Sequence, residues 1–169
     1  MIKWRPYSLN GVVYDLTHLH PTTVKYTQDQ KDGAREYTVD VAFGLHCFTR
    51  GAADGEIVDP KAQYADAKES RVFDKDRYEL SKRLPDLVKA LSTAKCYHTD
   101  RGNFFTVDII REENKILQYE VYFTIFLSGT GTLVLRVQSA YVRDSKHRVN
   151  RKGKSVRFFI LLFNTQMGR

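Results

Sequence analysis

The chain has 169 residues, of which 42% are hydrophobic and 12% aromatic, and a formal net charge of +7 at pH 7. This content is enough for one hydrophobic core, so we expect a single domain over residues 1–169. The longest purely apolar run, residues 158–163, is too short to cross a bilayer. The first residues lack the apolar stretch of a signal peptide and two cysteines make no disulfide framework, so we expect a cytoplasmic protein with no membrane partner.

The first part of the chain, residues 1–75, is predicted to be a β-rich extension. Asn10-Gly11 lies between two extended stretches, and this dipeptide is a strong signal for a β-hairpin. Residues 35–50 alternate in hydrophobicity and predict a longer strand. The pattern leaves three roles open for this extension: it extends a sheet, covers the helix or binds a partner.

One main helix is predicted after residue 75. Asp76 and Glu79 have the spacing of a helix cap. Apolar residues recur at helical spacing on one face: Leu80, Leu84, Leu87, Val88 and Leu91. Pro85 interrupts this pattern, so we expect either a kink or a second helix that has Pro85 in its first turn.

Alternating stretches at residues 105–109, 119–127, 133–137 and 156–162 predict strands after the helix. The fold class is therefore α+β, with a four- to five-stranded antiparallel meander in residues 76–169. The period of two assigns the aliphatic residues to one face, which packs on the helix. The other face is predicted to carry Thr106, Asp108, Glu120, Tyr122, Thr124, Arg136, Gln138 and Arg157.

The net charge is concentrated in the second half of the chain. Residues 1–94 hold 14 Lys and Arg against 14 Asp and Glu, whereas residues 95–169 hold 13 against 6. We call residues 143–157 the basic segment. Nucleic acid, with RNA favoured, is the first partner that such a segment suggests, and a solvated loop is the alternative. The candidate binding residues are Arg143, Lys146, His147, Arg148, Arg151, Lys152 and Lys154.

The polar face next to the basic segment suggests RNA cleavage without a metal. That reaction needs a base, an acid and cations that stabilise the charge on the phosphate. The candidate catalytic residues are His98, Glu120, Arg136, Tyr141 and Arg157. The alternative is a solvated sheet face with cross-strand pairs worth about 0.2–1 kcal/mol each.

No metal or cofactor is predicted. His46-Cys47 and Cys96-Tyr97-His98 contain zinc-type ligands, but the spacing within each group argues against a shared zinc site. The sequence also lacks a Walker loop, a dinucleotide-binding fingerprint and a His-Glu-x-x-His helix.

The helix, the meander and the ending RKGKSVRFF at residues 151–159 resemble the RelE and barnase-like ribonuclease toxin superfamily. The resemblance covers roughly residues 76–169 and concerns architecture. It implies a growth-inhibiting ribonuclease of a mobile element, neutralised by an antitoxin. Residues 1–75 lie outside it.

Three functions follow as alternatives. The first is a metal-independent ribonuclease, and the second is a non-catalytic nucleic-acid-binding module. The third is a phage or plasmid protein-interaction factor, such as an inhibitor, whose basic segment meets an acidic protein surface.

Overall fold

The computed structural model describes residues 1–111, 115–142 and 154–169 and has the predicted α+β class. Its strands are β1 Tyr7–Leu9, β2 Val12–Tyr14, β3 Thr22–Gln30, β4 Gly33–His46, β5 Thr49–Arg50, β6 Gln63–Ala65, β7 Ser70–Phe73, β8 Lys95–Thr99, β9 Gly102–Arg111, β10 Lys115–Leu127, β11 Leu133–Val142 and β12 Val156–Arg157. The α-helices are α1 Lys75–Ser81, α2 Leu84–Lys89 and α3 Phe158–Gln166, with 3-10 turns at Thr17–Leu19, Pro60–Ala62 and Ala90–Thr93. None of the helices in the described ranges has the length and apolar character that a membrane crossing requires.

Seven of the strands that the structure describes form the main sheet, in the order β12-β8-β9-β10-β11-β4-β3. The four strands β8 to β11 pair antiparallel in chain order, so an antiparallel meander is present. Its strands β9, β10 and β11 are predicted ones, whereas β8 was not predicted and the last predicted strand, reduced to β12, pairs with β8. Strand β4 then joins β11 in parallel, and β3 pairs antiparallel with β4. Strands β3 and β4 therefore extend the main sheet, which is one of the three roles left open for residues 1–75.

The predicted hairpin at Asn10-Gly11 is confirmed. Both residues have positive φ, 52° and 79°, as a two-residue turn between antiparallel strands requires. The turn joins β1 to β2 with Leu9 opposite Val12. The remaining strands, β5, β7 and β6, form a small antiparallel sheet of their own.

The predicted helix is divided in two. Pro85 lies in the first turn of α2, where its missing N–H needs no partner, so the second of the two predicted outcomes is correct. The cap was predicted two residues too late. Asp74, not Asp76, caps α1, and its carboxylate accepts a hydrogen bond of 2.9 Å from the backbone N–H of Arg77.

The prediction of a strand through residue 162 is wrong beyond Arg157, because α3 begins at Phe158. Phe158, Leu161 and Leu162 are buried, whereas Ile160 is 47% exposed. This burial follows helical spacing and not alternation. A run of consecutive apolar residues has no polar position that would distinguish the two periods, so the pattern alone was ambiguous.

The helices α2 and α3 pack on one face of the main sheet, which we call the core face. The ring of Phe158 lies 4.8 Å from that of Tyr26 on β3 and 6.3 Å from that of Phe123 on β10, measured between centroids. The hydroxyl of Tyr26 donates to the carbonyl oxygen of Val88 in α2 at 2.7 Å. The opposite face of the sheet, which we call the polar face, is left for the candidate site.

One half-buried histidine makes stability depend on pH. His18 Nε2 lies 2.8 Å from Oγ of the buried Ser81, and burial lowers the pKa of His18 from its ordinary 6.5, with Asp15 acting in the opposite direction. The unfolded chain therefore binds this proton more readily than the folded chain. We expect the free energy of unfolding, measured by urea titration, to fall as the pH is lowered from about 7.5 to about 5.

The variant His18→Gln keeps a hydrogen-bond donor for Ser81 and removes the titration, so we expect it to flatten this pH dependence. His98→Gln, at an exposed histidine, is the matched control and should leave the slope as in the wild type. A wild-type slope in His18→Gln would contradict the assignment.

Candidate functional site

The register of β9, β10 and β11 brings several of the predicted polar-face residues into neighbouring positions. Glu120 on β10 lies opposite Thr106 on β9 and Tyr141 on β11. Arg136 on β11 lies opposite Thr124 on β10. Directly opposed residues of antiparallel strands point to the same side of a sheet. These side chains therefore share the polar face.

A β-bulge in β11 determines which side chains follow Arg136 on this face. The pairing with β10 shifts between Val137 and Ser139, so that Gln138 is an extra residue and Ser139 pairs with Tyr122. Strand β4 approaches closely at the bulge, because a Cβ at Gly44 would lie 2.7 Å from the carbonyl oxygen of Gln138. The bulge changes the alternation and directs Ser139 and Tyr141 to the polar face.

A cleft of about 950 Å³ opens on the polar face. Its floor includes Ala42 and Gly44 on β4, Arg136 on β11, and the rings of Tyr122 and Tyr141. Its walls come from the N-terminal residues 1–4, the turn at residues 66–69 and the β8–β9 turn at residues 99–103. The volume lies in the usual range for ligand sites in proteins, about 300–1,000 Å³.

Four aromatic rings form a row across the polar face, which we call the aromatic row. The centroid distances are 5.4 Å from Tyr97 to Phe104, 5.3 Å from Phe104 to Tyr122, and 5.6 Å from Tyr122 to Tyr141. The guanidinium of Arg77 in α1 lies over the Tyr141 ring at 5.0 Å. It is hydrogen-bonded to the carbonyl oxygen of His46 at the end of β4, which lies on the opposite side of β11 from Tyr122. Both faces of the Tyr141 ring are therefore occupied within the protein.

Glu120 lies beneath the cleft. Its side chain is buried, at 4% exposure, and the hydroxyl of Tyr122 donates a hydrogen bond of 2.6 Å to Glu120 Oε2. Tyr122 itself lines the cleft. The Tyr122 phenol thus connects Glu120 to the cleft through this hydrogen bond.

Two carboxylates of the cleft wall are already satisfied inside the protein. Asp66 Oδ1 accepts hydrogen bonds from the backbone N–H groups of Lys68 and Glu69, at 2.8 and 2.9 Å, and these bonds lower the pKa of Asp66. Glu69 binds His46 at 2.8 Å and Arg71 at 3.4 Å, and its pKa is lowered chiefly by the hydrogen bond with His46.

The basic side chains of the cleft are not neutralised in this way. Lys68, Arg101 and Arg136 are exposed, and no carboxylate in the described part of the chain lies within 4.0 Å of their nitrogen atoms. Asp100 is the one further carboxylate among the lining residues that the structure describes. Among the described lining residues three cations therefore stand beside three carboxylates, and because protein groups already hold Asp66 and Glu69, the exposed cations can bind an anionic ligand.

Comparison with known proteins gives a family for the whole chain. The model of the YjaZ family matches residues 6–166. The chain is also 31% identical over 166 residues to Protein YjaZ of Escherichia coli (strain K12), covering 96% of this chain and 90% of that protein. The chain belongs to the YjaZ family. No solved structure shows a significant match.

Membership of the YjaZ family overturns the predicted relation to RelE and barnase-like toxins. That prediction rested on a helix followed by an antiparallel meander, an arrangement that unrelated families share. It also left out residues 1–75, whereas the YjaZ match begins at residue 6 and extends through β3 and β4. The toxin relation was thus inferred from about half of one continuous fold.

In this YjaZ-family chain the structure brings together part of the predicted catalytic set. Arg136 and Tyr141 line the cleft, and Glu120 lies beside them. His98 is exposed, and alternation along β8 directs it away from the face of Tyr97. Arg157 pairs with Lys95 at the sheet edge, three strand spacings from Glu120, or roughly 14 Å.

Most of the predicted nucleic-acid-binding residues fall outside the described part of this YjaZ-family chain. These are Arg143, Lys146, His147, Arg148, Arg151 and Lys152. Lys154 is described and exposed. Arg101 and Lys68 were not predicted, because an isolated cation in a turn has no sequence pattern. The aromatic row was not predicted because β8 is short.

Within the described residues, no group of three or more His, Cys, Asp and Glu side chains is placed to hold a metal ion. Cys47 and Cys96 are buried free thiols, and burial raises the pKa of each to about 12. At neutral pH these thiols stay protonated, so neither is a reactive nucleophile.

Proposed function

We propose that this YjaZ-family protein binds nucleic acid, with RNA favoured, in the cleft on the polar face. The observation that carries the proposal is that two acidic side chains of the cleft have protein partners, whereas two of its basic side chains have no carboxylate partner in the described part of the chain. Asp66 and Glu69 are satisfied by protein partners, whereas Arg101 and Arg136 are exposed and not neutralised by the described carboxylates. A phosphate chain supplies the anions that these cations need, and it releases its own counterions on binding.

The charge distribution along the sequence supports the same partner. The basic segment follows directly after β11, the strand that carries Arg136 and Tyr141 into the cleft. We propose that Arg143, Lys146, His147, Arg148, Arg151, Lys152 and Lys154 extend the contact with the phosphates. We also propose a cytoplasmic location, where RNA is available and where Cys47 and Cys96 remain free thiols.

We expect the double variant Arg101→Ala and Arg136→Ala to weaken RNA binding and to reduce its salt dependence. Two lost phosphate contacts should flatten the slope of log K against log salt concentration by about 1.4 units on a single strand. The measurement is a salt titration of the binding of a fluorescent oligoribonucleotide.

The matched control is Lys31→Ala with Arg83→Ala, which removes two exposed cations that do not line the cleft. It should leave the slope unchanged. Equal slopes for the wild type and the cleft variant would place the RNA elsewhere. Binding of neither RNA nor DNA by the wild type would favour an acidic protein surface as the partner.

A second function, metal-independent cleavage of the bound RNA, is favoured by the hydrogen bond between Tyr122 and Glu120. A carboxylate joined to a phenol at 2.6 Å is a possible proton relay, and Tyr141 lies opposite Glu120 on the neighbouring strand. Arg136 provides a cation in the same cleft. The test is incubation of the purified protein with mixed RNA in EDTA. We expect the RNA to be cleaved, because the proposed reaction needs no metal that EDTA could remove.

A further inference from the structure

The aromatic row limits how the cleft can recognise a nucleic acid. Proteins that read single-stranded bases usually stack them on exposed aromatic faces. Here Tyr122 is stacked between Phe104 and Tyr141, with interplanar angles of 22° and 14°. Tyr141 is covered by Tyr122 on one side and by the guanidinium of Arg77 on the other. Neither Tyr122 nor Tyr141 has a free face for a base, and the other two aromatic residues of the lining, Trp4 and Phe43, are buried at 4% exposure each.

Arg77 is held firmly in this covering position. Its Nη1 atom donates hydrogen bonds to the carbonyl oxygens of His46, at 3.3 Å, and Thr49, at 2.8 Å. Moving Arg77 aside to make room for a base would break both bonds and expose the Tyr141 ring. The covered state of the ring is therefore part of the fold.

Beside the Asp100 carboxylate, the polar groups that remain available in the cleft include hydrogen-bond donors and cations. Arg101, Arg136 and Lys68 supply positive charge, and Gln138 and Ser139 supply an amide and a hydroxyl. The hydroxyl of Tyr141 makes no hydrogen bond to any residue that the structure describes, and the phenol that donates to the neighbouring Glu120 Oε2 is that of Tyr122. Such groups match phosphate and ribose oxygens, which every nucleotide carries.

We infer that the cleft binds the sugar-phosphate backbone of a single strand and does not read its bases. This inference rests on the proposed function. A single strand fits because the cleft is bounded by three walls and encloses about 950 Å³. A duplex presents its phosphates on a rigid, wide helix that cannot enter a site of that size.

The test compares three probes of equal length with the full-length protein: a mixed-sequence oligoribonucleotide, an oligoribonucleotide whose riboses carry no bases, and an RNA duplex. We expect the base-free strand to bind within about threefold of the mixed strand, with the same salt slope. The duplex should bind at least about tenfold more weakly than either single strand.

Each contrary result has a distinct meaning. A base-free strand that binds more than about tenfold more weakly than the mixed strand shows that bases are read, and it overturns the inference while nucleic-acid binding stands. A duplex that binds as well as the single strands also overturns it. Failure of all three probes to bind refutes the proposed function itself.

Tyr141→Phe tests the backbone contact without disturbing the stack, because phenylalanine keeps the ring. Loss of one hydrogen bond to a charged phosphate should lower the affinity about tenfold, and by the same factor for the mixed and base-free strands. Tyr97→Phe, in the same aromatic row but outside the cleft, is the control and should bind as the wild type. An affinity loss confined to the mixed strand would mean that the Tyr141 hydroxyl contacts a base.

Discussion

Replacing Phe158 with alanine is expected to lower the free energy of unfolding by about 3–5 kcal/mol, the usual range for a large buried aromatic residue. Phe158 is fully buried at the start of α3 and contacts the rings of Tyr26 and Phe123 on the core face. The variant leaves a cavity between α3 and the sheet, which the surrounding side chains fill only in part. Urea titration followed by circular dichroism measures the loss.

Ile160→Ala is the matched control for this experiment. Ile160 is 47% exposed on α3, so its truncation should cost about 1 kcal/mol or less. If residues 156–162 formed a strand, Phe158 and Ile160 would lie on the same face and both truncations would be costly. Similar large losses for the two variants would thus contradict the helix.

Under the proposed cleavage function, Glu120→Gln is expected to reduce RNA cleavage by about 100- to 1000-fold, the usual effect of removing one catalytic electrostatic group. Glutamine keeps the shape of the side chain and still accepts the hydrogen bond from Tyr122, but it cannot take a proton. Binding of RNA should be unchanged, because Glu120 is buried beneath the cleft. Single-turnover cleavage in EDTA, measured beside RNA affinity, separates the two effects.

Arg157→Ala is the comparison for Glu120→Gln. Arg157 lies at the sheet edge, beyond β8 and β9, and is too far from Glu120 to contact the same phosphate. Its loss should leave the rate close to that of the wild type. A wild-type protein that leaves RNA intact for hours, alone and with ribosomes, is a binding protein only. If the Glu120→Gln variant still cleaves RNA, Glu120 is not the base, and His98, Tyr141 and His147 are the next residues to test.

Local patterns predicted much of this fold because neighbouring residues determine them. The hairpin at Asn10-Gly11 and the alternation of β9, β10 and β11 depend on short stretches of sequence. The parallel pairing of β11 with β4 joins Leu133 to Val39 across most of the chain, and no local pattern reports such a pairing. The helix α3 was missed because its apolar run has no polar residue to show the period.

The candidate site was predicted where alternation alone decides the face. Glu120 and Arg136 were placed on one face correctly, since Glu120 and Thr124 are on the same face of β10 and Thr124 lies opposite Arg136. The bulge at Gln138 lies close against Gly44, which is far away in the sequence, so no local pattern reports it. The cover on Tyr141 likewise depends on Arg77, which is far away in sequence and reaches the ring only in the folded chain.

The parallel contact between β11 and β4 also has a consequence for the order of assembly. During synthesis β4 and β3 emerge long before β11, so one edge of β4 has no strand to pair with until β11 has been made. Closing so long a loop is slow, since the entropy of the intervening chain is lost before the contact is gained. The floor of the cleft combines residues of β4 and β11, so the cleft exists only after this late step. A nascent or partly folded chain therefore lacks the cleft even when its hairpins have formed.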